Sequence, residues 1–240
     1  MMPPKTRQIF EQLAKEAALE KFVLIGGTAL SIQIGHRLSE DLDFCLFADS
    51  MVTAPLDAMI RDLSKDHQVV LMTPSSKIAQ AKINGIDLLR QSRDYLIDGV
   101  KVTFFARNDV AYQHFSGLEK IKAEGVKFAI MSAPSIFAMK AWLIQKRIKS
   151  RDLFDLMQLV QSGLFSFDRI FECAREADVA IYSEEGVKNA LMGVIPINND
   201  DEGFESIGLK VTLNQIHTYF KAQVNAFEIE QARLSRSERS

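Results

Sequence analysis

Cysteine is scarce in this chain. The two present, Cys45 and Cys173, lie far apart and outside any CxxC pattern, which excludes a disulfide framework and a thiolate zinc site. The four histidines, His36, His67, His114 and His217, have no spacing suited to zinc either. No run reaches the roughly 18 apolar residues that a membrane helix requires. The opening MMPPKTRQIF has no apolar stretch ahead of a small-residue cleavage site, so neither a secretory signal nor a membrane span is expected, and the expected compartment is the cytoplasm. Neither sign of charge is in excess: 29 Lys and Arg face 31 Asp and Glu, a net charge of −2 that argues against a nucleic-acid coat protein. There is no internal repeat, low-complexity tract or Gly/Ser-rich linker.

What is present is enough apolar residue, 47% of 240, to bury a substantial core. Residues 4–20 have helical periodicity, with Ile9, Leu13 and Ala17 on one side and Pro3 and Pro4 suited to the start. Phe22–Ile25 is a short apolar run that stops at a Gly pair, as a buried strand would. A helix is expected over 28–35, and Asp41–Phe47 reads as a strand exposed at its first end and buried at its second. A helix over 55–64, a strand over 68–72, and helix then strand within 76–97 follow. Asp98-Gly99 signals a hairpin before the strand 100–106. From 108 onward the pattern predicts helices, over 135–149, 151–161, 167–176 and from Thr212, with a loop over 193–210 and a frayed polar tail from Arg233. The expectation is an α+β fold, with a mixed α/β core in 1–107 and a helical region in 108–240 packed on it.

Chemistry concentrates in Ile25-Gly26-Gly27-Thr28 and His36-Arg37-Leu38-Ser39-Glu40-Asp41-Leu42-Asp43-Phe44. Two glycines at a strand-to-helix turn clear space for phosphate oxygens next to backbone N–H groups, and the helix N-terminus adds partial positive charge. The Thr28 hydroxyl could donate to the same phosphate. In a strand, Asp41 and Asp43 project to one side about 6–7 Å apart, while Leu42 and Phe44 face the core. Two such carboxylates invite a divalent cation. Magnesium suits them, since it takes one or two carboxylates and completes its shell with water and substrate phosphates. The chemistry that follows is in-line displacement at a nucleotide phosphorus.

On these residues the chain resembles the AbiEii/AbiGii toxin branch of the DNA polymerase β-like nucleotidyltransferases. The likeness rests on Gly26-Gly27-Thr28-Ala29-Leu30, on His36-Arg37-x-Ser39-x-Asp41-Leu42-Asp43-Phe44, and on a second block: Met139-Lys140-Ala141, then Arg151-Asp152-Leu153-Phe154-Asp155. The resemblance implies a mixed sheet with flanking helices and a helical C-terminal half. It also implies Mg²⁺-dependent transfer of a nucleotide from an NTP to an acceptor, tRNA or another RNA or a protein, and a cognate antitoxin as partner. Carried over residue by residue, Gly26, Gly27 and Thr28 hold the triphosphate, Asp41 and Asp43 the metal, and Lys140 the nucleotide phosphates. Asp152 becomes the acidic partner of the second motif, and Arg37 and Ser39 orient the Asp pair or the phosphates. One departure stands out. A third carboxylate is expected on the strand 100–105, where the chain has Thr103; Asp98 and Asp87 are the substitutes at hand.

Other charges have plainer readings. Lys140 stands among apolar residues and so should meet an anion. Asp152 and Asp155 could simply favour a helix N-terminus. Lys82, Arg90, Lys120, Lys122 and Lys127 could line a nucleic-acid path or simply be surface; Lys146 and Lys149 fit a solvated flank, and Asp200-Asp201-Glu202 a solvated loop. The competing functional readings are a nucleotide- or partner-binding module without turnover, and a metal-dependent phosphoesterase that would leave Gly26-Gly27-Thr28 unexplained.

Overall fold

The computed structural model describes residues 1–237. In chain order the elements are α1 (Pro4–Leu13), β1 (Val23–Ile25), α2 (Gly26–Ile34), β2 (Leu42–Leu46), α3 (Thr53–Leu63), β3 (Val69–Leu71), α4 (Ser75–Ile83), β4 (Ser92–Ile97), β5 (Val100–Ala106), α5 (Val110–Ser116), β6 (Lys120–Ile121), β7 (Ala129–Met131), α6 (Ala133–Leu143), α7 (Ser150–Gln161), α8 (Arg169–Ala177), α9 (Glu184–Met192) and α10 (Leu213–Ser237). Contacts divide the chain into two compact units, Met1–Ile136 and Phe137–Ser240.

The first unit holds a seven-stranded mixed sheet of order β3-β4-β5-β2-β1-β7-β6. β2 runs antiparallel to β1 and parallel to β5, and β1 runs parallel to β7. Alternation along the central strands sets their two faces. Leu24, Phe44 and Phe104 share one face in register, all fully buried. The rings of Phe44 and Phe104 stack at 5.3 Å, and Phe128 meets Phe44 edge-on at 4.8 Å. Residues one step along, Asp43, Thr103 and Asp94, therefore share the opposite face, and all three are half-buried.

The second unit is helical, with α10 packed on α7 and α9. Ile216, Phe220 and Val224 bury one stripe of α10, and Phe227 stacks on Phe171 of α8 at 4.8 Å.

The sequence pattern and the structure differ in places. The region beyond 108 is not wholly helical, because β6 and β7 extend the sheet. Two- and three-residue strands are too short to show a period. The helix expected over 4–20 ends at Leu13 and is followed by a 3₁₀ turn over Ala17–Leu19. The one expected over 135–149 ends at Leu143, and the backbone of Ile148 bonds Asn198 instead: its N–H donates to Asn198 Oδ1 at 2.7 Å and its carbonyl accepts from Asn198 N at 2.9 Å. Helix α9 follows a Ser183 cap that the pattern did not single out. The polar tail from Arg233 continues α10 to Ser237, and only its last three residues lie outside the described ones.

Because Phe44 is the hub of the aromatic layer, Phe44→Ala should cost about 3–5 kcal/mol. A urea titration should show a lower midpoint with an unchanged slope.

Candidate functional site

The site begins where β1 becomes α2. The register places Ile25 opposite Asp43, so the glycine turn starts beside the Asp43 carboxylate. Gly26 has φ +76°, and a Cβ there would lie 2.9 Å from Asp43 Oδ2. Only glycine meets both conditions, left-handed backbone and a carboxylate oxygen crowding the place a Cβ would take. A Cβ on Gly27 would run into Arg37 Nη2 and reach 3.0 Å from Ser39 Oγ. The first N–H groups of α2 have no partners within the helix. The turn thus presents bare backbone and the positive end of a helix beside an acidic side chain.

Thr28, Arg37 and Ser39 brace this arrangement from behind. Thr28 is 1% exposed, and its hydroxyl donates to Ser39 Oγ at 2.9 Å and also contacts the carbonyl of Asp41. Turned inward, that hydroxyl links the turn to the segment that carries the aspartates. Arg37 is 6% exposed and donates from Nη1 to the carbonyl of Leu38 at 2.9 Å. Ser39 is also buried, and its N–H donates to the carbonyl of Met1 at 3.0 Å. Asp43 lies on β2 and Asp41 just ahead of it; both are half-buried, alternating with the fully buried Leu42 and Phe44.

Asp41 and Asp43 are the carboxylates that could hold a divalent cation. Among the described residues no three His, Cys, Asp or Glu side chains converge as a ready-made metal cage. Two carboxylates beside an open glycine turn instead fit magnesium, which fills most of its shell with water and phosphate oxygens. Burial pushes the Cys45 thiol up to about 12 and that of Cys173 to about 11, leaving neither as a thiolate at neutral pH.

The substitutes considered for the acid missing at Thr103 do not stand beside it. Asp98 occupies the hairpin turn with φ +48°, its carboxylate 2.7 Å from His67 Nδ1 and accepting from Gln68 N at 2.8 Å. The His67 hydrogen bond holds the Asp98 carboxyl below its usual range. Asp87 is exposed and outside the strands.

In the second unit, Lys140 on α6 is 4% exposed. Its ammonium contacts Asp152 Oδ1 and lies 3.0 Å from Asp155 Oδ2; Arg147 Nη2 stands 3.7 Å from Asp152 Oδ2. Two carboxylates of α7 thus neutralise the Lys140 ammonium, the residue that the family resemblance assigns to the nucleotide phosphates. Asp155, fully buried, is a full member of this cluster. The i, i+3 spacing of Asp152 and Asp155, which places both on one helix face, was the signal for it.

The acidic loop 200–202 is solvated as expected, with the Asp200 and Glu202 side chains 79% and 53% exposed, and it also meets the start of α7. Asp200 pairs with Lys149 at 2.7 Å, Asp201 Oδ1 accepts from Ser150 N at 2.9 Å, and Glu202 pairs with Arg151 at 2.8 Å. Of the dispersed basic residues, Lys120 donates to the carbonyls of Ser116 and Leu118.

Residues 8–217 match the family described as nucleotidyl transferase AbiEii toxin, type IV TA system. The chain belongs to that family. Among curated relatives it is 30% identical over 158 residues to the uncharacterized protein aq_aa25 of Aquifex aeolicus, and the alignment spans 65% of this chain and 65% of that protein's length. A solved Helicobacter pylori structure, described as a candidate nucleotidyltransferase, superposes with a TM-score of 0.50 at 15% identity, covering 96% of each chain. That likeness establishes the fold. The AbiEii-family match spans every site residue named above.

Two outcomes follow from the packing. Gly26→Ala should lose about 1–2 kcal/mol through its left-handed backbone and displace the Asp43 carboxylate, so calorimetry should show weaker Mn²⁺ binding in a folded protein. Asp155→Ala should cost about 3–5 kcal/mol by stranding part of the Lys140 charge, and the triple change Lys140→Met, Asp152→Asn and Asp155→Leu, which removes all three charges of the cluster, should recover much of that loss in thermal melts.

Proposed function

We propose that this chain is a Mg²⁺-dependent nucleotidyltransferase that moves a nucleoside monophosphate from an NTP to an RNA acceptor, tRNA foremost, as the toxin of a toxin–antitoxin pair. The observation that carries the reading is the Asp43 carboxylate, whose Oδ2 lies 2.9 Å from where a Cβ on Gly26 would sit. It sets a cation-binding group directly against a turn suited to phosphates.

In this reading the backbone N–H groups of Gly26, Gly27 and Thr28 bind the β- and γ-phosphate oxygens, aided by the α2 N-terminus. Asp41 and Asp43 hold Mg²⁺, which when bound neutralises charge on the phosphates. Arg37, Ser39 and the Thr28 hydroxyl keep the turn and the Asp segment in register, so the α-phosphorus is presented to an acceptor hydroxyl. Pyrophosphate leaves as the new ester bond forms. Lys140 and Asp152 enter on family resemblance alone, as residues that the transfer needs. Family membership also supports a cognate antitoxin as its counterpart.

Thr103, where an acid was expected, favours the alternative of a binding module without turnover. Incubation with Mg²⁺, each α-labelled NTP and total tRNA separates the two. The expected outcome is labelled tRNA from the unmodified protein, a loss of about 10²-fold or more with Asp43→Asn, and none with EDTA. Tight NTP binding with no labelled acceptor in tRNA or lysate would sink the transferase reading.

A further inference from the structure

Transfer to a hydroxyl releases a proton, and some group must take it. Resting on the transferase reading above, we infer that Asp94 of β4 is the proton acceptor for the attacking hydroxyl, reached across Thr103 rather than placed on β5. The registers put Asp43 opposite Thr103, and Thr103 opposite Asp94. The three side chains form one row across β2, β5 and β4 on a single face, the face that also carries the glycine turn's Asp43 contact.

The chemistry of Asp94 suits the task. Among the described residues its carboxylate has one partner, the Thr103 hydroxyl, which donates to Oδ1 at 2.9 Å. That bond fixes the carboxylate and leaves Oδ2 as an acceptor on a half-buried surface. Among the described residues no Lys or Arg pairs with Asp94, unlike Asp57, Asp152, Asp155 and Asp200, each of which is tied to a cation. Thr103 itself is no base, because a hydroxyl is not basic near neutrality and its proton is committed to Asp94.

Spacing separates this role from metal binding. Asp94 lies two strands from Asp43, a Cα separation of about 10 Å, and the row forms no three-residue metal group. That gap leaves room for a hydroxyl between the two carboxylates, and it roughly halves the repulsion that an acid at position 103 would feel from Asp43. In the step, a lone pair of the acceptor oxygen forms the bond to the α-phosphorus. The bond from that phosphorus to the bridging oxygen breaks, its electron pair leaving on pyrophosphate, and the hydroxyl proton passes to Asp94 Oδ2, then to water.

The test uses the full chain, Mg²⁺, α-labelled NTPs and total tRNA under single-turnover conditions, with Mn²⁺ binding by electron paramagnetic resonance and NTP binding by calorimetry measured in parallel. Asp94→Asn should slow transfer by about 10²–10⁴-fold while Mn²⁺ and NTP affinities stay within about twofold; Asp43→Asn should weaken Mn²⁺ binding as well. Adding Thr103→Asp to Asp94→Asn should restore about tenfold or more of the lost rate, by returning an acid to the central strand. Undiminished transfer by Asp94→Asn overturns the assignment while leaving the transferase reading intact. Parallel loss of Mn²⁺ or NTP binding also overturns it, marking Asp94 as a ligand or a structural group. If the unmodified protein transfers nothing, the transferase reading fails and the assignment fails with it.

Discussion

The antiparallel pairing of β1 with β2 governs the first unit. Its register sets Ile25 against Asp43, and from that one alignment the Gly26 turn lands on a carboxylate. A slip of one residue would turn Asp43 into the aromatic layer and Phe44 out to the open face. The stacked rings of Phe44 and Phe104 make such a slip costly, because two large apolar side chains would lose their burial together. The core thereby fixes the geometry of the open face.

A second constraint works at short range. A turn that offers bare backbone cannot be stiffened by its own side chains, so stiffness must come from behind. Thr28, Arg37 and Ser39 supply it as buried polar groups, and Thr28 Oγ1 reaches both Ser39 and the Asp41 backbone. Buried hydroxyls and guanidinium groups are costly unless they are bonded, and once bonded they admit few alternative arrangements. The helical unit follows the same rule with charges: Lys140 is tolerated in an apolar setting because two carboxylates meet it, and the α7 turn that carries Asp152 is clamped by the loop 198–203.

Much of this was legible in the residue order. The strands 22–25, 41–47 and 100–106 and the helices at 55 and 151 follow from apolar periodicity, and Gly26-Gly27 with Asp41-x-Asp43 mark the candidate site by their spacing. What stayed hidden depends on contacts distant in sequence. Nothing local tells that Thr28 points inward, that Asp200, Asp201 and Glu202 bind residues 149–151, or that the run 129–131 becomes a strand by pairing with β1. Asp94 was hidden for the same reason. It sits in a stretch of ambiguous period, and its significance depends on lying opposite Thr103.

That last case bears on how a missing residue should be read. A sheet places chemistry by row as well as by strand, because registered neighbours on one face are only about 4.8 Å apart. A carboxylate lost from one strand can return on the next strand of the same row, with a hydroxyl filling the vacated place. Position 103 then speaks less against turnover than a strand-by-strand comparison suggests. The Thr103–Asp94 hydrogen bond is the physical reason: it holds the displaced acid toward the row it has to serve.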